Sequence, residues 1–165
     1  MSSLYLAIDP GNIFSAYTII DDAKNLLDFG ILENNALKKK IEQDDFDSEF
    51  NLVAIEMLQC YGMPVGKSVL DTCVWIGRFQ EVIEDNYHID VDFYGRKKVV
   101  AHICGSVQAG DKNIRQAILD MYPATGGGAT PQIGIKKQRG PLFGVSKDVW
   151  AALAVAITYR DNCND

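Results

Sequence analysis

The chain has 165 residues, 47% apolar, 23% charged and 10% aromatic, which suits one folded domain with a full core and excludes wholesale disorder. No apolar run reaches the length of a membrane span, and the opening Met-Ser-Ser-Leu-Tyr lacks the basic stretch and apolar core of a secretion signal, so a cytoplasmic protein with no membrane partner is expected. The net charge of −6 does not exclude nucleic acid, because residues 21–50 carry nine acids against four lysines while residues 67–147 carry eleven Lys and Arg against eight acids.

In chain order, the run Leu4 to Asp9 is a short apolar strand ending in a carboxylate, stopped by Pro10-Gly11. Residues 13–20 and 25–32 read as two further strands, with Asp21-Asp22 as the turn between them, giving an antiparallel meander. Residues 35–49 read as a surface helix. Leu52 to Glu56 repeats the first pattern, an apolar strand closed by an acid. A glycine-bearing loop, Gln59 to Gly66, precedes a long helix from about Lys67 to Asn86, with Val69, Cys73, Ile76, Phe79 and Ile83 at helical spacing. Residues 89–94 alternate as a strand, 97–104 read as a helix or connection, and Asp111 opens another helix. Gly126-Gly127-Gly128 is read as a hinge opening a flexible stretch to about Phe143. Ser146 is placed as the N-cap of a final apolar helix from Lys147 to about Thr158. The order is that of an α/β fold, one mixed sheet covered by helices. Cys60, Cys73, Cys104 and Cys163 are too scattered for a zinc site or a disulfide framework.

Three acids stand at the edges of apolar segments: Asp9 after Leu-Ala-Ile, Glu56 after Val-Ala-Ile, and Asp148 two residues before Trp150. A carboxylate at a core edge is costly to ionise unless paired, hydrogen-bonded or bound to a cation. Singly, each is explained as a turn cap or a helix N-terminal acid. If the two strands are neighbours, however, Asp9 and Glu56 meet at one sheet edge where Asp148 can join them. Oxygen-only ligands of that kind suit Mg²⁺, with Mn²⁺ as a substitute.

These residues resemble a known family. Ala7-Ile8-Asp9-Pro10-Gly11 with Ser15-Ala16-Tyr17 is similar to the opening motif of RuvC-type Holliday junction resolvases. Val53-Ala54-Ile55-Glu56 resembles the second motif, and Lys147-Asp148-Val149-Trp150-Ala151-Ala152-Leu153-Ala154 resembles the C-terminal Asp-x-x-Asp-Ala-Leu-Ala helix. The short length, the acidic region and Lys136-Lys137-Gln138-Arg139-Gly140 look most like the bacteriophage and prophage branch. The resemblance implies a ribonuclease H-like fold over residues 1–165, a five-stranded mixed sheet with helices on both faces. It implies a homodimer gripping a four-way DNA junction in the cytoplasm of a bacterial host cell. It further implies that Asp9, Glu56 and Asp148 hold two Mg²⁺ ions that activate a water and stabilise the leaving 3′ oxygen, so that paired nicks resolve the junction. The sequence departs from the family pattern at Ala151, where a fourth acid is usual, and at Ala16, where glycine is usual. Asp111 is a candidate substitute for the fourth acid, although its place also fits a simple helix N-terminal acid.

Affinity for branched DNA calls for Lys and Arg contacts to phosphate. Candidates are Lys67 and Arg78 on the long helix, Arg96-Lys97-Lys98, Lys112 with Arg115, and Lys136, Lys137, Arg139 and Lys147 beside Asp148. Lys97 and Lys98 fit a solvated face better. Tyr61 fits stacking on an unpaired base as well as cover for its loop. His88 and His102 lie outside the motifs, and Trp75 and Trp150 read as core or interface anchors. Two other activities fit the same residues: a branched-DNA-binding protein with weak or absent cleavage, as Ala151 suggests, and a ribonuclease H acting on RNA–DNA hybrids. An actin- or sugar-kinase-like ATPase shares the Asp-x-Gly start, but 165 residues leave no room for its second lobe.

Overall fold

A computed structural model describes residues 2–165; Met1, the first residue of the opening stretch considered above, lies outside them. The chain runs β1 (Leu4–Asp9), β2 (Phe14–Asp21), β3 (Leu26–Glu33), α1 (Asn34–Glu42), β4 (Leu52–Met57), α2 (Lys67–Tyr87), β5 (Val91–Gly95), α3 (Arg96–Cys104), α4 (Asp111–Met121), a two-stranded ribbon β6 (Gly134–Ile135) and β7 (Gln138–Arg139), and α5 (Val149–Asn164). The expected α/β class holds: five strands form a mixed sheet in the order β3-β2-β1-β4-β5. The first three pair antiparallel, as the meander reading requires, whereas β4 and β5 join β1 in parallel through helical crossovers.

Side-chain alternation along the central strands sorts two cores. Leu6, Ile8, Val53 and Ile55 face α1 and α2, while Tyr5, Ala7, Ala16 and Ala54 face α5. The alanines are what let α5 approach: with no bulk beyond Cβ on the sheet, a helix rich in alanine (Ala152, Ala154, Ala156) lies directly against it. Residues 152 to 159 of α5 are buried on every side, because α3 and α4 cover its outer face. Past Thr158 the helix continues to Asn164, where Arg160 donates from Nε to the Asp22 carbonyl (2.7 Å) and Asn164 donates to the Tyr5 hydroxyl (3.1 Å).

Three local expectations are corrected and one open alternative is settled. The surface helix ends at Glu42 rather than 49, since Phe46 and Phe50 must turn inward to meet Tyr17 and Tyr87, and Asp28 accepts from the Asp47 amide at 3.1 Å. Residues 97–104 settle as helix, within α3. Ser146 is not the cap of α5: Lys147 adopts left-handed backbone (φ 49°), so the helix starts after it, with Asp148 in the N-cap position. The triple glycine is not a hinge but a close-packed wall. A Cβ on Gly126 would stand 2.6 Å from the Pro131 carbonyl oxygen, and the backbone bonds Gly126 to Pro131 (2.8 Å), Gly127 to Gln138 (2.9 Å) and Gly140 to Ile133 (2.9 Å) tie the segment into one ribbon-bearing lobe.

Candidate active site

The parallel register of β1 and β4 pairs Ala7 with Ala54 and Ile8 with Ile55, so the next residues, Asp9 and Glu56, stand side by side at the carboxyl edge of the sheet. By alternation both point to the α5 side, where they line a cleft of about 710 Å³ together with Asp148 and Ala151. Asp9 is held in place by the turn that follows it. The Gly11 amide donates to Ser15 Oγ (3.1 Å), Ser15 Oγ donates to Asn34 Oδ1 (2.6 Å), and Asn34 Nδ2 donates back to the Gly11 carbonyl (2.8 Å). Gly11 is required there, since a Cβ would lie 2.1 Å from the Phe14 carbonyl oxygen. Asn34 carries no motif signal; only its burial at the start of α1 reveals this role.

Burial, and then the neighbouring Glu56 charge, push the Asp9 carboxyl up to about 8. Burial also raises Glu56, against the opposing pull of the Arg96 guanidinium. The two carboxyls act on each other at close range, and Asp9 is the one held up far enough to keep its proton near neutral pH. Asp148 acts on both through space from the start of α5. Among the described residues no group of three or more His, Cys, Asp or Glu side chains is close enough to hold one metal ion, so the contact is a pair with a third acid across the cleft. The donors are all carboxylate oxygens, and two buried carboxyls side by side, both costly to ionise without a partner, are a set a hard divalent cation fits.

Of the sequence-predicted cations, Arg96, Lys112, Arg115 and Lys147 line the cleft, with Arg115 stacked 5.4 Å over the Trp150 ring. The others do not enter it. Lys67 pairs with Asp71 at 2.6 Å, and Arg78 stacks on Trp75 at 4.6 Å on the α2 surface. Lys136 and Lys137 form the exposed tip of the β6–β7 ribbon, and Arg139 lies 4.6 Å over the Phe143 ring. Lys97 and Lys98 are not merely solvated; they lie over the Tyr61 and Tyr94 rings at 3.8 and 4.6 Å. Two cleft residues escaped firm assignment, Arg96 and Asp111, which pair at 2.7 Å. Their joint position depends on two helix starts meeting in space, which no sequence spacing encodes.

No protein-family model matches the chain. No curated protein matches it either. Among solved structures it superposes on Thermus thermophilus RuvC with a TM-score of 0.70 at 13% identity, over 98% of this chain and 95% of that one. T. thermophilus RuvC in complex with a Holliday junction substrate matches equally, with a TM-score of 0.70 at 14% identity, over 98% of this chain and 94% of that one. The chain has a RuvC-like, ribonuclease H-like fold. At this identity the likeness concerns architecture, and it spans nearly the full length of both chains. Among the described residues no helix is long and apolar enough to cross a membrane.

Proposed function

We propose that the protein is a metal-dependent endonuclease that resolves Holliday junctions and other branched DNA by paired nicks. It would act as a homodimer, each copy using residues 1–165 as one nuclease domain. The observation that supports this most is the juxtaposition of Asp9 and Glu56 on neighbouring parallel strands, in a cleft that Asp148 and the cations Arg96, Lys112, Arg115 and Lys147 also line. Mg²⁺, or Mn²⁺ in its place, would supply Lewis-acid polarisation of the phosphodiester and a water made nucleophilic near neutral pH. Asp9 and Glu56 would hold the cation, with Asp148 joining from the start of α5. Binding there requires the proton held on Asp9 to leave, so affinity should rise with pH.

The remaining residues would serve to bring and orient the strand. Lys112, Arg115 and Lys147 place positive charge around the acids, where a phosphate would otherwise be repelled. Lys136, Lys137 and Arg139, carried on a braced ribbon outside the cleft, suit contact with a flanking duplex arm, and Lys67 and Arg78 suit more distant phosphates. Dimerisation would use the outer face of α2, where Leu70 and Val74 are about half exposed (55% and 53%) one turn apart, followed by Gly77. The motif resemblance favours the bacteriophage branch, working in the cytoplasm of a bacterial host.

A second reading, binding of branched DNA with weak or absent cleavage, is favoured by Ala151 on the cleft wall and by the lack of a three-acid cluster among the described residues. A gel assay separates the two. Labelled four-way junction, linear duplex and RNA–DNA hybrid are incubated with Mg²⁺, Mn²⁺ or EDTA, alongside Asp9→Asn. Paired nicks confined to the junction and abolished by EDTA and by the substitution are expected. Tight junction binding without nicks in either metal would support the second reading instead, and cutting of the hybrid strand alone would mean ribonuclease H activity.

A further inference from the structure

One cation in the cleft is already occupied. Arg96 is the first residue of α3, immediately after Gly95, which pairs in register with Met57, so its guanidinium stands beside the strand end that carries Glu56. It shares the cleft with Asp9 and Glu56 and donates from Nη2 to Asp111 Oδ1 at 2.7 Å across the starts of α3 and α4. The two partners are unequal: the Arg96 side chain is 35% exposed, that of Asp111 94%. A bond to an almost fully solvated carboxylate adds little stability, and it is readily exchanged for a better acceptor. A phosphodiester is such an acceptor, because its two non-bridging oxygens match the guanidinium fork.

We propose that Asp111 is a stand-in for the DNA backbone: it holds Arg96 over the cleft in the DNA-free protein, and Arg96 trades it for a phosphodiester when a strand enters. This rests on the reading that the cleft receives DNA. It assigns Asp111 a role different from that of a fourth metal-binding acid, and it makes Arg96 a substrate-holding residue rather than a tie between two helices. The exchange also explains why the chain tolerates an exposed acid at the rim of a DNA-binding cleft. With Arg96 engaged, the pair presents no net charge; with Asp111 released to solvent, the fork is free for the phosphate.

The two members of the pair should therefore act with opposite sign, which a purely structural ion pair would not do. The experiment is the dissociation constant of a fluorescently labelled four-way junction in EDTA, measured over a salt series for wild type, Arg96→Gln, Asp111→Asn and the double variant. Arg96→Gln should weaken binding about fivefold and lower the salt slope by about one. Asp111→Asn should tighten it about threefold by freeing the fork, and should have no effect when Arg96 is already Gln. Arg96→Lys should keep the salt slope while recovering only part of the affinity. Asp111→Asn tightening both backgrounds equally would mean simple repulsion of DNA, and would overturn the exchange. So would weakening by both single variants, or a wild type with no affinity for the junction. Nicking by the wild type with no such mutant pattern would overturn the exchange alone, whereas the mutant pattern without nicking in Mg²⁺ would overturn the nuclease reading alone.

Discussion

Asp9 concentrates the electrostatic cost of the site in one side chain. Its carboxyl is held up at about 8, against 3.8 in an ordinary setting, first by burial and then by Glu56. The folded state therefore keeps a proton that the unfolded chain would release above about pH 4. The stability that Asp9 contributes to the metal-free protein is full below that pH, falls as the pH rises toward about 8, and levels off beyond it. The loss over that window is on the order of a few kcal/mol. Melting in EDTA should show it as a decline from pH 5 to pH 8 that Asp9→Asn largely removes. At pH 8 the variant should melt about 5–10 °C above the wild type. Adding Mg²⁺ at pH 8 should raise the wild type and leave Asp9→Asn nearly unmoved. A flat profile for the wild type would mean that burial and Glu56 do not hold the proton on Asp9.

At the level of elements, the lobe between α4 and α5 depends on backbone contacts that only glycine permits. A Cβ on Gly140 would meet the Gln132 and Pro131 carbonyl oxygens at 2.3 Å, and neither can move without opening the ribbon. Gly140→Ala should therefore release the ribbon and cost about 1–3 kcal/mol locally. Limited proteolysis should show faster cutting between residues 126 and 140. Junction affinity should fall toward that of a variant with Lys136 and Lys137 both changed to alanine, while the Asp9–Glu56 pair stays intact. Unchanged proteolysis would show that the lobe is not braced in this way. The alanine layer under α5 makes a contrasting case: its tolerance of close approach comes from small side chains on both partners, so the helix fixes Asp148 at the cleft with little freedom to slide.

For the whole molecule, a four-way junction presents the same chemistry twice, and a two-fold dimer matches it. The proposed contact is the α2 face carrying Leu70 and Val74, which nothing among the described residues covers. Val74→Glu should convert the dimer to monomer in sedimentation at micromolar concentration, with the fold retained, since the position is solvent-facing within one copy. A wild type that is monomeric at high concentration would remove the dimer from the reading. Charge is also distributed on the molecular scale. The acid-rich stretch 21–50 covers the β2–β3 turn and the α1 side, while the cleft collects Arg96, Lys112, Arg115 and Lys147 around its acids. A net charge of −6 is thus compatible with a locally basic rim.

The strands, the main helices and the two strand-end acids were legible in the chain itself, because alternation, helical spacing and a carboxylate after an apolar run are local signals. Asp9 and Glu56 could be singled out because ionising a carboxylate at a core edge is expensive wherever that edge lies. What the sequence could not determine was anything set by packing between distant segments. The left-handed Lys147 that moves the start of α5 to Val149 is one case, and the end of α1 at Glu42, imposed by Phe46 and Phe50 turning inward, is another. The glycine-walled ribbon has the sequence signal of a hinge for the same reason, since glycine serves both freedom and close approach and only the neighbouring backbone decides which. The Arg96–Asp111 pair and the support of Asp9 by Asn34 likewise exist only once separate elements meet. Local patterns determined which residues carry charge and which strands carry the acids; the tertiary structure alone decided which charges face each other, because proximity across a fold is a property of the register and packing of whole elements.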